Sequence, residues 1–156
     1  MKNLFFPDEE ISKNDLYFIC YIIERVARRL KQPNRYVVNK IGKQALTEKL
    51  SLASVLHSEN PLDVEQQFIE NFHLLPGTYD VAKVDSSLVD KIPTPLQMGK
   101  VYSRLIMDTL RKEEDYADGI IRIYNSEICP IIDNYNGSAY YEPSYVIARA
   151  YYEGRF

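Results

Sequence analysis

The sequence has few of the residues on which catalysis and metal binding depend. Its 156 residues include two cysteines, two histidines, six glycines and no tryptophan. Cys20 and Cys129 lie far apart within apolar patterns, where a free thiol behaves as a small hydrophobic side chain. No short Cys/His spacing of a zinc site and no glycine pattern of a nucleotide-binding loop is present. The residues therefore predict no disulfide, no metal site and no cofactor.

A nucleophilic catalytic triad is not indicated either. Such a triad needs Ser or Cys beside an imidazole base, and only His57 and His73 can supply that base. Cys20 falls on the apolar face of a predicted helix and Cys129 precedes a proline, so neither thiol is expected to be activated. We assign no catalytic residue and expect a protein that is not an enzyme. A small hydrolase or transferase that uses His57 with a nearby carboxylate is the alternative.

The chain also lacks long apolar runs and a strong charge of one sign. The longest apolar run, Leu16–Ile23, is far shorter than the roughly 20 residues that span a bilayer. The first ten residues contain Pro7 and a run of acids, which is not the pattern of a signal peptide. The net charge of −3 gives no general attraction to nucleic acid or anionic lipid. We expect a cytoplasmic protein without membrane contact.

The sequence does contain repeated signals for helices in an ordinary globular composition, 46% hydrophobic and 26% charged. Ser12–Asp15 has the pattern of a capping box, and apolar residues then recur every three or four positions as far as Leu30. Three further helix starts combine a capping residue or acid with proline: Asn60-Pro61, Thr94-Pro95 and Glu142-Pro143. These patterns predict an all-α fold, a compact bundle of about six or seven helices.

Residues that cap or break helices predict how the chain is organised. Asn34 is placed to cap a short helix that Gly42 ends, and Pro130 should kink or split a helix over 115–134. We predict a single compact domain over residues 1–156. It comprises an N-terminal helical unit (12–76), a connection (77–93) and a C-terminal unit (94–156) packed on the first.

Residues 15–72 carry a family resemblance. Their landmarks are Leu16–Ile19, Tyr21–Glu24, Gly42, Val55–His57 and the apolar helix after Asn60. This segment resembles a family of short bacterial helical domains of unknown function that are often encoded beside ADP-ribosyltransferase-like proteins. The resemblance implies a helical fold and a toxin–antitoxin or mobile-element setting. It supplies no catalytic residue, and this chain carries about 80 further residues.

A basic stretch between Glu24 and Lys49 is the first candidate binding feature. Arg25, Arg28 and Arg29 are spaced to share one helix face, and Arg35 follows in the next helix. Together such arginines could bind phosphate or carboxylate groups, although a solvated basic face is the commoner explanation. Two successive helices here could also be taken for a helix-turn-helix, so a nucleic-acid-binding regulator is the alternative function.

His57 and the C-terminal tyrosines are the other candidates. His57 precedes a helix cap, where it could hydrogen-bond the carbonyls of the preceding helix or bind a ligand. Nine of the 13 tyrosines lie at or after Tyr102. Among them, Tyr141, Tyr145 and Tyr152 could anchor an interface or dock the last helix on its own core.

The sequence as a whole favours a non-enzymatic, cytoplasmic protein-interaction module. With the resemblance, the expected role is that of a regulatory or antitoxin-like partner of a toxin. We expect a protein partner or a homo-oligomer. Nucleic-acid binding is the less favoured possibility.

Overall fold

The computed structural model describes residues 1–156 and contains eight α-helices and one 3-10 turn. The helices are α1 (Lys13–Leu30), α2 (Asn34–Ser51), α3 (Ala53–Leu56), α4 (Pro61–Asn71), α5 (Pro95–Thr109), α6 (Tyr116–Tyr124), α7 (Cys129–Ile132) and α8 (Ser144–Glu153). The 3-10 turn spans Ala139–Tyr141. The only β pairing is an isolated bridge between Lys2 and Glu10. The all-α prediction is confirmed, and six of the eight helices have nine or more residues.

Helix starts agree closely with the capping signals. Ser12, Thr94 and Asp115 each form a capping box at α1, α5 and α6, and the Asn60 side chain accepts from the backbone N–H of Leu62 at α4. Each cap satisfies backbone donors that the first helical turn leaves without partners. Pro130 splits the predicted 115–134 helix, since α6 ends at Tyr124 and α7 begins at Cys129. Side-chain caps therefore mark the starts of four of the eight α-helices.

The region around Asn34 and Gly42 differs from the expectation in one respect. Gly42 has a φ of 77° and a ψ of 168°, which lie outside the helical region and which only glycine adopts without strain, so α2 consists of two helical segments that meet at this residue. The capping role predicted for Asn34 is wrong. Pro33 occupies the cap position, and the Asn34 side chain points into the protein, where it contacts two buried carboxylates.

Helix α1 is the centre of the bundle. It packs on α5, α2 and α4, while α6 packs on α2 and α5, and α8 packs on α5. Gly99 in α5 allows the close crossing with α1, because a Cβ at that position would lie 2.8 Å from the backbone nitrogen of Tyr21. The buried apolar side chains of both halves form one cluster of 34 residues. None of the helices is long and apolar enough to cross a membrane.

Candidate functional site

Arg25 is occupied by contacts within the protein. Its Nη2 atom lies 2.6 Å from Oε2 of Glu65, a nearly buried carboxylate on α4. Its Nη1 atom donates to the hydroxyl of Tyr21 at 3.0 Å, and its guanidinium lies 5.5 Å from the centroid of the same ring. An arginine with these partners has little capacity left for an external anion.

Arg28 is held more deeply. Its Nε atom donates to Oε2 of Glu24 at 2.9 Å, and its Nη2 atom donates to the hydroxyl of Tyr135 at 3.1 Å. The Glu24 side chain is 2% exposed, so this is a buried ion pair. Burial by itself lowers the pKa of Arg28, but Glu24 and Tyr135 outweigh it and raise the pKa further. Arg28 neutralises a buried charge and is not a surface group.

Arg29 and Arg35 do not complete a common anion site. Arg29 is exposed and donates to Oε1 of Gln66 at 2.6 Å, and Arg35 donates to the backbone carbonyl of Ser126 at 3.4 Å. The three arginines of the predicted face therefore have different partners. Arg25 binds Glu65 and Tyr21, Arg28 binds Glu24 and Tyr135, and Arg29 binds Gln66. The exposed charge of the stretch that remains comes mainly from Arg29 and from lysines.

A buried polar cluster lies behind the arginines. The Asn34 amide donates to Oε1 of Glu24 at 3.0 Å and to Oδ2 of Asp133 at 3.2 Å, so one side chain bridges two carboxylates. The Tyr102 hydroxyl donates to Oδ1 of Asp133 at 2.6 Å. Burial and then the charge of Glu24 raise the pKa of Asp133 to about 7. Glu24, Asn34, Tyr102 and Asp133 are all buried, which makes the cluster a structural element of the core.

Both thiols are free and buried. Burial raises the pKa of the Cys20 thiol to about 12 and holds the pKa of Cys129 well above its ordinary value. A thiol held protonated in this way is a poor nucleophile. No group of three or more metal-binding side chains is present. The geometry offers no catalytic centre around either cysteine.

His57 lies at the edge of an aromatic groove. The imidazole stacks on the ring of Phe18, with centroids 4.9 Å apart and planes inclined at 28°. The backbone N–H of His57 donates to the carbonyl of Ala53 at 2.8 Å at the end of α3, whereas the imidazole makes no hydrogen bond to that helix. No carboxylate accepts a hydrogen bond from it either. The stacking leaves both ring nitrogens free.

The groove itself has a volume of about 590 Å3 and runs along the first half of α1. Four residues of α1 form its floor, and the α3–α4 connection and the start of α5 form its walls. The lining consists of Asn14, Tyr17, Phe18, Tyr21, His57, Glu59, Pro61 and Leu96. Glu59 is the only aspartate, glutamate, lysine or arginine among these residues, so the groove is aromatic with one negative charge at its edge.

Two tyrosines of the groove are held in place by hydrogen bonds at their outer ends. The Tyr17 hydroxyl donates to the backbone carbonyl of Leu96 at 3.1 Å, and the Tyr21 hydroxyl accepts from Arg25. The side chains of Asn14 and His57 make no hydrogen bond within the protein and remain available to a ligand. The groove therefore combines fixed aromatic walls with unused polar groups.

The C-terminal tyrosines are directed to solvent. Tyr141, Tyr145 and Tyr152 are 67%, 71% and 69% exposed, whereas Ile147 and Ala150 form the buried face of α8. Docking of the last helix on its own core therefore does not use these three rings. They form a surface on the outside of the molecule, apart from the groove.

Sequence reasoning did not identify the groove. The signal was the second apolar face of the first helix, where Tyr17, Phe18 and Tyr21 add aromatic surface beside the main stripe. Only the fold brings this face next to Pro61 and Leu96, which are 40 and 75 residues away from Tyr21. Periodicity alone could not separate the partly exposed Tyr17 and Tyr21 from the buried Phe18 between them.

Comparisons with protein-family models, with curated proteins and with solved structures found no match to this chain. The resemblance of residues 15–72 to short bacterial domains therefore stays a prediction.

Proposed function

We propose that this protein is a non-enzymatic interaction module that binds an extended, proline-containing segment of a partner protein in the aromatic groove. The observation that carries the proposal is the lining of fixed aromatic side chains, Tyr17, Phe18, Tyr21 and His57, beside unpartnered polar groups. Aromatic-lined grooves bind polyproline II segments because proline rings pack on the rings and the ligand loses little conformational entropy.

The dimensions support a short extended ligand. From Asn14 to Tyr21, α1 rises roughly 10 Å, and one three-residue turn of a polyproline II helix rises roughly 9 Å. The groove can thus hold about one turn of such a segment along α1. Asn14 and His57 are placed to bind the backbone of the segment, which has no internal hydrogen bonds.

Charge complementarity adds a preference for a basic flank. Glu59 lies at the edge of the groove and accepts only one hydrogen bond within the protein, from Gln67 at 3.2 Å. A lysine or arginine beside the prolines would pair with this carboxylate. The antitoxin-like role implied by the resemblance would require a contact of this kind with a toxin.

The test is a titration of the protein with a fluorescein-labelled decaproline peptide that carries arginine at one end. We expect saturable binding, a loss of about tenfold or more in affinity in Tyr17→Ala, and a smaller loss in Glu59→Gln. The matched control is Tyr145→Ala, an exposed tyrosine elsewhere on the surface, which should bind as the native protein does.

Absence of saturable binding would contradict the proposal, and so would equal affinity in Tyr17→Ala. Choline is the comparison ligand, because aromatic side chains beside a carboxylate also bind organic cations. If choline bound at this groove and the peptide did not, the protein would be a small-molecule binder and the proposal would be wrong.

A further inference from the structure

We infer that the outer face of α8 pairs with a second copy of this chain, in an antiparallel arrangement about a two-fold axis between Ala148 and Arg149. The inference uses a surface apart from the groove and does not depend on the peptide-binding proposal. It rests on the exposure, the rigidity and the order of the side chains between Tyr141 and Phe156.

Two exposed aromatic side chains lie on the outer face of α8, and two more lie at its ends. Tyr145 and Tyr152 are seven residues apart in α8, so they project from the same face two turns apart. Tyr141 and Phe156 flank the helix at its two ends, and Phe156 is 46% exposed. Exposed aromatic residues in this density are more typical of an interface than of solvated surface.

The exposed tyrosines are supported from behind. Tyr141 packs edge-to-face on Tyr140, with centroids 4.9 Å apart, and Tyr152 packs edge-to-face on Tyr151, with centroids 5.3 Å apart. Tyr140 and Tyr151 are half-buried. Because packing already restricts these rings, their association costs less conformational entropy than that of freely rotating side chains.

The order of residues is what points to a second copy. In the sequence the order from one end is Tyr141, Glu142, Tyr145, and from the other end Phe156, Arg155, Tyr152, with Glu153 as an additional charge on that side. The two end charges, Glu142 and Arg155, are opposite. An antiparallel pair with its axis between Ala148 and Arg149 places Tyr145 opposite Tyr152, Tyr141 opposite Phe156 and Glu142 opposite Arg155. A two-fold interface requires this self-complementarity.

The charges at the two ends are available for such pairing, since neither Glu142 nor Arg155 belongs to an ion pair within the chain. Near the axis, Ala148 is small and allows close approach of the helices. The two copies of Arg149 would lie near each other there, and Glu153, one turn further along each helix, can offset their repulsion.

The available area indicates a weak dimer. At roughly 200 Å2 per aromatic side chain, the exposed fractions of these four rings amount to roughly 500 Å2 per chain. A pair of copies would bury roughly 1,000 Å2 in these rings, near the lower limit of specific interfaces. Dissociation in the micromolar range is therefore expected.

Sedimentation velocity from low micromolar to several hundred micromolar protein tests the inference. We expect a concentration-dependent dimer that is lost in Tyr145→Ser/Tyr152→Ser with an unchanged helical spectrum. Leu88→Ser, which removes a 71% exposed apolar residue elsewhere, is the matched control and should leave the dimer intact. A native protein that stays monomeric throughout, or a dimer unaffected by the double change, would overturn the inference.

A charge swap and cross-linking test the register. Glu142→Arg and Arg155→Glu should each weaken the dimer, and Glu142→Arg/Arg155→Glu should restore it. With a short bis-maleimide, Arg149→Cys should cross-link to itself, while Glu142→Cys should cross-link only when mixed with Arg155→Cys. The antiparallel arrangement would be refuted if Glu142→Arg/Arg155→Glu did not dimerise, or if Glu142→Cys cross-linked without Arg155→Cys. A monomeric protein that still binds the proline peptide would refute only the dimer.

Discussion

Two of the three arginines of α1, Arg25 and Arg28, are turned towards the protein, whereas three tyrosines around α8, Tyr141, Tyr145 and Tyr152, are turned away from it. Arg25 and Arg28 each pair with a carboxylate that is almost completely buried, Glu65 and Glu24. Tyr145 and Tyr152 have more than two thirds of their surface in solvent. In this molecule two of the arginines are committed to internal ion pairs, and three of the tyrosines around α8 remain exposed.

The difference follows from the cost of burying a charge. A carboxylate that stays ionised in the core requires a nearby cation, and an arginine that supplies it is no longer free to act at the surface. Aliphatic side chains such as Ile147 fill the core next to α8. A tyrosine on the other side of the helix can therefore stay exposed with little loss of folding free energy. A cluster of arginines is therefore weaker support for a binding site when buried carboxylates lie near it.

The largest expected effect is the loss of Arg28. In Arg28→Met, Glu24 stays buried without its cation, which should lower the free energy of unfolding by about 3–5 kcal/mol. For a chain of this size the melting temperature should fall by roughly 10 °C. Arg29→Met is the matched control, because Arg29 is exposed and should change stability by less than about 0.5 kcal/mol.

The double variant Arg28→Met/Glu24→Leu sharpens this test. Replacing both members of a buried ion pair with apolar side chains is often close to neutral, so most of the lost stability should return. Thermal unfolding followed by circular dichroism measures all three variants. If Arg28→Met were as stable as the native protein, Arg28 would not be needed to neutralise Glu24 and would behave like an exposed arginine.

The pH dependence of stability is the next effect in size. The pKa of Asp133 is raised to about 7 in the folded protein from an ordinary value of 3.8, so between these values the folded state binds a proton that the unfolded chain releases. The free energy of unfolding should therefore fall as the pH rises through this window, by roughly 2 kcal/mol between about pH 5 and 7.

Asp133→Asn should remove most of this slope, because asparagine does not ionise. The exposed carboxylate Asp90 gives the matched control, Asp90→Asn, which should keep it. Urea unfolding at several pH values measures the effect. The groups facing Asp133 are Glu24, Asn34, Tyr102 and Cys129. A slope that persisted without Asp133 would contradict its assignment to this carboxylate.

How far the sequence predicts this molecule depends on the range of the interactions concerned. Capping boxes and Pro130 act within a few residues, so Ser12, Thr94 and the break before α7 could be located in advance. Asn34 could not, because its partners Glu24 and Asp133 come together only in the folded chain. The same holds for Arg28 and for the groove, which depend on contacts between distant helices.

Nucleic-acid binding would show that the basic stretch is a binding surface in spite of the internal ion pairs. With Arg25 and Arg28 paired internally, we expect no gel shift of duplex or single-stranded nucleic acid at near-physiological salt. A salt-sensitive shift that disappears in Arg29→Glu/Lys31→Glu/Lys40→Glu would show that the remaining exposed cations form a binding face. This triple variant avoids the buried pair, so it should remain folded.

The smallest expected effect on stability is that of the exposed tyrosines. In Tyr145→Ser/Tyr152→Ser, measured at low protein concentration where association is absent, unfolding should change by less than about 0.5 kcal/mol per site. A loss of several kcal/mol would mean that these rings support α8 itself.

The most direct test of the central claim, that the aromatic groove and not the basic stretch is the ligand-binding surface, is a residue-resolved titration. The 15N-labelled protein would be titrated with the arginine-tagged decaproline peptide and followed by amide chemical shifts. We expect shifts concentrated at Tyr17, Tyr21, His57 and Leu96, with little change at Arg29, Lys31 and Lys40. Shifts centred on those three basic residues, or no shifts at saturating peptide, would contradict the claim that the groove binds the ligand.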